Sequence, residues 1–207
     1  VLVHNGDDCV HATGTGTENI VVEDSTFFGG HGLSICGGGA ECTVSNVLFT
    51  NNTMIDTSIG ARIKLTSKTK GFVRNVTWSH LRMFHVKHPL IIDVGYHSRA
   101  DAGRHAEMNI SGIHLLDIQA HDDMPQDFAE EAQDRDSSEL LRLGHGGGGK
   151  IAEAGSLLCS DHAPCRNVYM KDVQIHTDKK WICNTFLNLV EPERVTPQLT
   201  SCKHRFR

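Results

Sequence analysis

The residue types best suited to chemistry lie in three short segments of the first third of the chain. The segments are Asn5-Gly6-Asp7-Asp8-Cys9, Gly30-His31-Gly32 and Arg62-Ile63-Lys64. The step from the second aspartate to the histidine is 23 residues, and the step from the histidine to the arginine is 31. Two adjacent carboxylates, an imidazole and two cations are groups that acid–base chemistry on an anionic substrate can use. The regular spacing indicates that the fold brings them together.

These side chains have a chemical logic in common. Glycoside hydrolysis uses a protonated carboxyl group at the leaving oxygen and an ionised carboxylate that activates water or attacks the sugar. Adjacent carboxylates can have separated pKa values, so one of Asp7 and Asp8 can stay protonated near the working pH. Arg62 and Lys64 are two residues apart and point to one face of a strand, where they suit a sugar bearing a carboxylate. His31 can hold a proton or a hydrogen bond beside the acid.

The elements that must position these residues follow an internal repeat. Short segments of alternating apolar and polar residues, typical of half-buried β-strands, begin at Asn19, Asn46, Asn75 and Asn167, with a variant at Gly112. The starts are 27, 29, 37 and 55 residues apart, which indicates a solenoid, and the lack of helical periodicity favours a β-solenoid. We therefore predict an all-β, parallel β-helix. Residues one coil apart would stack at ~4.8 Å, so the asparagines would form an amide ladder and the three chemical segments one patch on one sheet.

The order Asn-x-Asp-Asp, Gly-His-Gly, Arg-Ile-Lys and a later Tyr96 resembles the motif set of the polygalacturonases, glycoside hydrolase family 28. The resemblance covers most of the chain outside residues 121–155 and is strongest over 5–96. It implies a right-handed parallel β-helix that hydrolyses α-1,4-galacturonosyl bonds of pectin with inversion, without a metal or a cofactor. It also implies that Arg62 and Lys64 bind the galacturonate carboxylate and that Tyr96 contacts the sugar.

By the same resemblance, Asp7 is the general acid, Asp8 positions the attacking water and His31 supports the acid. Two departures from the family pattern stand out. A further Asp, in an Asn-Thr-Asp motif about one coil before the pair, is absent because the chain begins too late to contain it. The cysteine that follows the Asp-Asp pair in the family pairs with a cysteine whose place is taken here by Phe27, so Cys9 is the expected free thiol.

Composition and charge limit the kinds of partner that the protein can have. The 207 residues carry a formal net charge of −5, which argues against a nucleic-acid partner, and no apolar run approaches the ~18 residues of a membrane span.

We predict a single β-helix domain over 1–207, truncated at its N-terminus because Val1-Leu2-Val3 resembles a strand already under way. The acidic and then Gly-rich stretch 121–155 is predicted to be an inserted surface loop. The expected partner is the pectin polysaccharide, bound by a monomer.

The cysteines and glycosylation motifs favour an oxidising compartment. Seven cysteines are present, and an odd count leaves one unpaired. The cysteine pairs that lie close in sequence or close a terminal loop are Cys36 with Cys42, Cys159 with Cys165, and Cys183 with Cys202. Sequons for N-glycosylation begin at Asn51, Asn75 and Asn109. A secreted, disulfide-bonded glycoprotein of the cell wall is the prediction.

Several alternatives remain open at this point. Another pectin hydrolase of the family, acting on rhamnogalacturonan or xylogalacturonan, is the nearest one, and endo and exo attack are not distinguished. A pectate lyase or a non-catalytic carbohydrate-binding β-helix are the others. A phosphate-binding loop at Gly144–Lys150 is disfavoured because Ile151 follows it instead of Ser or Thr. A metal site at Cys159, His162 and Cys165 is disfavoured against a disulfide because paired ligand spacings are missing.

Overall fold

The computed structural model describes residues 1–95, 107–126, 128, 147–160, 164–184 and 187–202. Two residues named above, Tyr96 and His162, lie outside the described residues, as does the stretch 129–146 of the predicted insertion. The other candidate site residues all lie within the described ranges. Among these residues, no helix has the length and apolar character needed to cross a membrane.

The described residues form thirteen β-strands and one short 3-10 turn at Thr200–Cys202. The strands are β1 (Leu2–His4), β2 (Val10–Ala12), β3 (Thr17–Phe28), β4 (Leu33–Ile35), β5 (Glu41–Ile55), β6 (Ile59–Lys64), β7 (Lys70–Phe84), β8 (His88–Asp93), β9 (Glu107–His121), β10 (Gly155–Leu158), β11 (Cys165–Ile175), β12 (Trp181–Cys183) and β13 (Leu187–Thr196).

The strands alternate between two parallel sheets. The odd-numbered strands form a seven-stranded sheet in the order β1-β3-β5-β7-β9-β11-β13, called here the long-strand sheet. The even-numbered strands form a six-stranded sheet in the order β2-β4-β6-β8-β10-β12, called here the short-strand sheet. Each coil therefore adds one strand to each sheet, beside the strand of the coil before it. This confirms the predicted parallel β-helix.

The repeated asparagines lie where the long strands bend. Asn19, Asn46, Asn75, Gly112 and Asn167 are in register, and all have φ between 51° and 65°. Glycine and, among the other residues, asparagine tolerate this left-handed region best. The Nδ2 atom of Asn46 donates to Oδ1 of Asn19 at 3.2 Å, and Nδ2 of Asn75 donates to Oδ1 of Asn46 at 2.8 Å. The predicted amide ladder is confirmed for these three residues, and the bend explains why glycine replaces asparagine in one coil.

Alternation in the short-strand sheet separates an interior row from an outward row. Ala12, Ile35, Ile63 and Ile92 are in register on β2, β4, β6 and β8, and their exposed fractions are 3%, 0%, 0% and 3%. The adjacent row, in the same register and on the opposite face, consists of His11, Ser34, Arg62 and Ile91. The buried row fixes the height and spacing of the outward row, which supplies the candidate site.

The predicted disulfides are all present. They join Cys36 to Cys42, Cys159 to Cys165 and Cys183 to Cys202. Cys9 is the free cysteine, as expected, and its Sγ lies 3.3 Å from the carbonyl oxygen of Gly29. Burial raises the pKa of the Cys9 thiol to about 11. Phe27, at the place where the resemblance expects a partner cysteine, is 2% exposed and belongs to the core.

The described end of the Gly-rich stretch is attached to the solenoid. The backbone N–H of Gly148 donates to the carbonyl oxygen of Asp56 at 2.8 Å, and that of Gly149 donates to the carbonyl oxygen of His85 at 3.0 Å. The chain then continues into a strand, β10, instead of a helix. A phosphate-binding loop needs a helix after its glycines, so this context does not support nucleotide binding.

Candidate active site

The five described candidate residues meet at one end of the outward row. Arg62 and Lys64 lie in β6, whereas Asp7, Asp8 and His31 lie in the turns that precede β2 and β4. The prediction that all of them stack on strands of one sheet is therefore correct only for the two cations. The carboxylates and the imidazole approach from the turns because turn residues can reach over the edge of a strand.

Gly30 allows the two turns to pack closely. A Cβ atom at this position would lie 2.3 Å from the carbonyl oxygen of Asp7 and 3.2 Å from Sγ of Cys9, and its φ is +77°. Any other residue would therefore push the turns apart. The close approach also lets the backbone N–H of His31 donate to the carbonyl oxygen of Asp7 at 2.8 Å. The glycine before the histidine thus sets the distance between the imidazole and the acidic pair.

Asp8 is the buried centre of the site. Its Oδ1 accepts hydrogen bonds from Arg62 at 2.5 Å and from the Ser34 hydroxyl at 2.7 Å, and its Oδ2 accepts one from Nζ of Lys64. The exposed fractions of the Asp8, Arg62 and Lys64 side chains are 8%, 6% and 7%. Ser34 also accepts a hydrogen bond from Nε of Arg62 at 3.2 Å. One carboxylate is thus held by three donors, two of them charged.

These donors determine the ionisation of Asp8. Burial alone would raise its pKa, because it disfavours the charged form. The hydrogen bonds from Lys64 and Ser34 and the charge of Arg62 outweigh burial, so the pKa of Asp8 is lowered from 3.8. The carboxylate is therefore ionised at neutral pH and keeps its two cationic partners.

Asp7 has a different environment. Its side chain is 77% exposed, and its Oδ1 accepts a hydrogen bond from the backbone N–H of Asp8 at 2.7 Å and lies 3.1 Å from Nδ1 of His31. The hydrogen bond from the Asp8 backbone, followed by that from His31, lowers the pKa of Asp7 as well. In addition, Oδ1 of Asn5 accepts the backbone N–H of Asp7 at 3.0 Å, which fixes the turn.

The expectation that adjacency keeps one carboxyl group protonated does not hold in the free protein. Each carboxylate has its own donors, so the pKa values of Asp7 and Asp8 are both lowered. Mutual repulsion is offset by Arg62 and Lys64, which neutralise Asp8 directly. A general acid at Asp7 therefore requires a further source of negative charge or of water exclusion, which an anionic substrate brings with it.

The two candidate cations already have a carboxylate partner within the site. Arg62 and Lys64 are almost completely buried, and each contacts a different oxygen of Asp8. Their first role is therefore to hold the carboxylate, and a substrate carboxylate would have to join this cluster instead of meeting two exposed cations. Tyr96, the third predicted substrate contact, lies outside the described residues.

A cation site is geometrically conceivable at the same place. One ligand atom each from Asp7, Asp8 and His31 lies within 4.8 Å of the other two. Arg62 and Lys64 already neutralise Asp8, however, and a divalent ion would meet their repulsion. The charges around Asp8 therefore disfavour a divalent ion at this place.

Two residues of the site were missed by sequence reasoning. Ser34 is fully buried and contacts both Asp8 and Arg62. His11 has Nδ1 3.5 Å from Oδ2 of Asp8. Both share the outward row with Arg62. The detectable signal was alternation within β2 and β4, combined with the register between coils, which places every second residue on the side of the site.

Comparisons of the sequence with known proteins point to one family. A family model described as Glycosyl hydrolases family 28 matches residues 1–134. A polygalacturonase of Juniperus ashei is 30% identical over 174 residues, which is 83% of this chain and 29% of the relative. A probable endopolygalacturonase D of Neosartorya fischeri is 47% identical over 81 residues, 38% of this chain and 17% of the relative. A probable exopolygalacturonase C of Aspergillus terreus is 36% identical over 100 residues, 46% of this chain and 23% of the relative. The chain thus spans less than a third of the length of these relatives.

Proposed function

The chain belongs to family 28 of the glycosyl hydrolases, and on that premise we propose that it hydrolyses α-1,4-galacturonosyl bonds of polygalacturonate, the demethylated backbone of pectin. The observation that carries the proposal is the buried Asp8, held by Arg62 and Lys64 beside the exposed Asp7. Relatives of both endo and exo type are named polygalacturonases, which supports the same substrate class.

In the proposed reaction, Asp8 orients and deprotonates the attacking water, and Asp7 protonates the departing glycosidic oxygen. Both oxygens of Asp8 accept hydrogen bonds from fixed donors, which suits a base that must not move. The same donors make Asp8 a poor covalent nucleophile, because attack on the sugar would require an oxygen to leave its cationic partners. This favours a single displacement with inversion, in which no covalent glycosyl-enzyme forms.

Substrate binding supplies the condition that Asp7 needs. A galacturonate carboxylate near the site adds negative charge and displaces water, and both effects raise the pKa of an adjacent carboxyl group. His31, 3.1 Å from Asp7, then keeps the protonated group in position. Arg62 and Lys64 sit close enough to Asp8 to offset part of the charge that the substrate brings.

The direct test is the release of reducing ends from polygalacturonic acid. The 207-residue chain should be assayed beside a form extended to the length of its relatives, because the resemblance assigns a further Asp to an upstream coil. Release by either form, lost on Asp7→Asn, supports the proposal. If both forms are folded and neither acts on polygalacturonate, rhamnogalacturonan or xylogalacturonan, the hydrolase function is wrong.

The stereochemistry provides a second measurement. Proton magnetic resonance of the first products should show the β anomer before mutarotation, since the bond cleaved is α and the proposed displacement inverts. The close approach of the Asp7 and Asp8 oxygens, within 4.8 Å, is shorter than the separation of ~6.5–9.5 Å usual for inverting pairs. Appearance of the α anomer first would therefore establish retention and assign Asp8 as the nucleophile.

A non-catalytic pectin-binding β-helix is the second candidate, and one observation favours it. Both Asp7 and Asp8 have lowered pKa values, so neither of these two carboxyl groups is protonated at neutral pH in the free protein. Oligogalacturonate binding without release of reducing ends would support this role.

In either role we propose that the protein is secreted and acts on plant cell walls, where its substrate occurs, and that it carries N-glycans at its sequons.

A further inference from the structure

The ring of His11 occupies a defined place beside the site. Its Nδ1 lies 3.5 Å from Oδ2 of Asp8, and its Nε2 contacts the carbonyl oxygen of Cys36. A carbonyl oxygen only accepts hydrogen bonds, so Nε2 must carry a hydrogen. In the neutral ring, Nδ1 is then left with its lone pair, and that lone pair faces Asp8.

The surroundings hold the ring in this orientation. Cys36 is disulfide-bonded to Cys42 and has a φ of 59°, so its carbonyl group is fixed by a cross-link and a tight turn. A Cβ atom at Gly37 would lie 3.2 Å from the ring of His11 and 3.8 Å from Cε of Lys64. The glycine therefore leaves the space that the imidazole fills.

Asp8 needs a route by which it can lose a proton. Its side chain is 8% exposed, whereas that of His11 is 35% exposed. Among the described residues, the side chains that donate hydrogen bonds to Asp8 are Arg62, Lys64 and Ser34, and the thiol of Cys9 lies close enough to feel its charge. Guanidinium and ammonium groups have no lone pair to accept a proton. His11 is therefore the basic nitrogen between the buried carboxylate and the solvent.

We propose that His11 acts through Asp8 as its proton acceptor, and this inference rests on the proposed hydrolase function. The oxygen of the attacking water bonds to the anomeric carbon while the glycosidic C–O bond breaks, and the leaving oxygen keeps that electron pair and takes the proton of Asp7. The O–H bond of the water breaks in the same step, and its proton goes to Oδ2 of Asp8. The lone pair of Nδ1 of His11 takes that proton, which restores the carboxylate, and the imidazolium releases a proton to bulk water. At 3.5 Å the two atoms need a small movement or one water molecule for transfer.

The first test compares His11→Gln with the wild type in the active form of the enzyme. Glutamine can still donate to the carbonyl oxygen of Cys36 but has no basic nitrogen. The expected result is a fall in kcat of about 10²-fold with KM unchanged, because His11 does not contact the substrate. Imidazole added to His11→Ala should restore part of kcat. Unchanged kcat in both variants, or no rescue by imidazole, would overturn the proposal.

A matched control uses another histidine of the solenoid. His114 lies in β9 of the long-strand sheet and stacks on Tyr169 with ring centroids 4.6 Å apart, far from the acidic pair in the register of the sheets. His114→Gln should leave kcat and its response to imidazole unchanged. A loss equal to that of His11→Gln would show that the effect comes from general weakening of the fold.

A spectroscopic measurement separates this proposal from the hydrolase function. Carbon magnetic resonance of the Asp8 carboxyl group should show a coupling to the His11 ring in the wild type, which His11→Gln removes. Nitrogen resonances should identify the neutral ring with hydrogen on Nε2. Absence of the coupling refutes the proton-acceptor role even in an active enzyme. Coupling in a protein that cleaves no substrate leaves the pairing in place and refutes the function.

Discussion

At the scale of single residues, the most important feature is the balance of charge around Asp8. A buried carboxylate between two buried cations is held by charge-assisted hydrogen bonds, which are shorter and stronger than neutral ones. Removal of the Asp8 charge takes away the carboxylate that contacts both Arg62 and Lys64 in a buried site. The catalytic arrangement and the stability of the first coils therefore depend on the same residue.

Asp8→Asn should lower the free energy of unfolding by about 3 kcal/mol at pH 7, because it removes the buried carboxylate that contacts both cations. The pKa of Asp8 is lowered in the folded chain, so its contribution to stability is complete above 3.8, the ordinary value. That contribution is lost as the pH falls through the folded value. Urea unfolding at several pH values should therefore show the wild type and the variant converging in acid.

Glu107→Gln is the control for this measurement. Glu107 pairs with Lys70 at 2.9 Å, but both side chains are 66% exposed. Exposed ion pairs contribute little to stability. The free energy of unfolding of this variant should therefore stay within about 0.5 kcal/mol of the wild-type value. A gap between wild type and Asp8→Asn that is constant with pH would contradict the assignment of the Asp8 ionisation.

Asp7→Asn should reduce kcat by about 10³-fold, because the side chain loses its role as acid. Stability should change little, because this side chain is 77% exposed.

In the wild type, the fall of kcat on the alkaline side should occur at higher pH than the fall of kcat/KM. The reason is that kcat reports the substrate complex, where the pKa of Asp7 is raised, and kcat/KM reports the free protein, where it is lowered. Coincident limbs would argue against substrate-induced protonation.

Some residue-scale features could be predicted and others could not. Asp7, Asp8 and His31 could be proposed as one cluster from their types and order, and the structure brings them together. The lowered pKa of Asp7 was not, because it depends on a hydrogen bond from the next backbone N–H. Ser34 and His11 were missed because serine and histidine are common, and only the register between coils reveals that they face Asp8.

At the scale of elements, the most informative feature is the bend in each strand of the long-strand sheet. Five residues in one column take the left-handed conformation, and this requirement explains the recurring asparagine better than the amide ladder alone. The sequence period predicted the column and its register correctly. The conformation at the bend was not predictable from the period, because an amide ladder and a left-handed bend both select asparagine.

Gly112→Asn should raise the free energy of unfolding by about 0.5–1 kcal/mol. Asparagine tolerates the φ of +65° at this position and has fewer unfolded conformations than glycine. Its amide can also donate to Oδ1 of Asn75, which extends the ladder by one hydrogen bond. An added Cβ meets only ordinary contacts, the nearest at 3.4 Å from the Asn75 nitrogen.

Thermal or urea unfolding measures this gain, and Gly112→Ala is the matched comparison. Alanine cannot donate to the ladder and is disfavoured in the left-handed region, so it should cost about 1 kcal/mol. If asparagine and alanine destabilise the chain equally, neither the ladder nor the tolerance of asparagine for the left-handed region stabilises this bend.

At the scale of the whole molecule, the strand pairing in the described part of the chain joins each coil to the coils before and after it. Such solenoids have stabilities that approximate a sum of repeat and interface terms. Strands β5, β7 and β9 are paired on both sides over most of their length, whereas β1 and β13 have one partner each within the described ranges. Protection against opening should therefore vary along the solenoid axis.

Native-state hydrogen exchange provides the check. The slowest amides should lie in β5, β7 and β9, and amides of β1 and β13 should exchange first, with the difference growing at low denaturant. The Asp8 cluster lies near the first coils, so Asp8→Asn should accelerate exchange in β2 to β6 and leave β11 unchanged. Uniform acceleration over all strands would show that the solenoid unfolds as one cooperative unit.

The unpaired Cys9 has a practical consequence for handling the protein. An odd cysteine normally invites intermolecular cross-linking during storage in air, and a thiol reductant is the usual remedy. Here the thiol is shielded and its pKa is about 11, so little reactive thiolate forms at neutral pH. Purification without reductant should therefore give one stable species. Leaving the reductant out also protects the Cys36–Cys42 disulfide, which holds the carbonyl group that the His11 ring contacts.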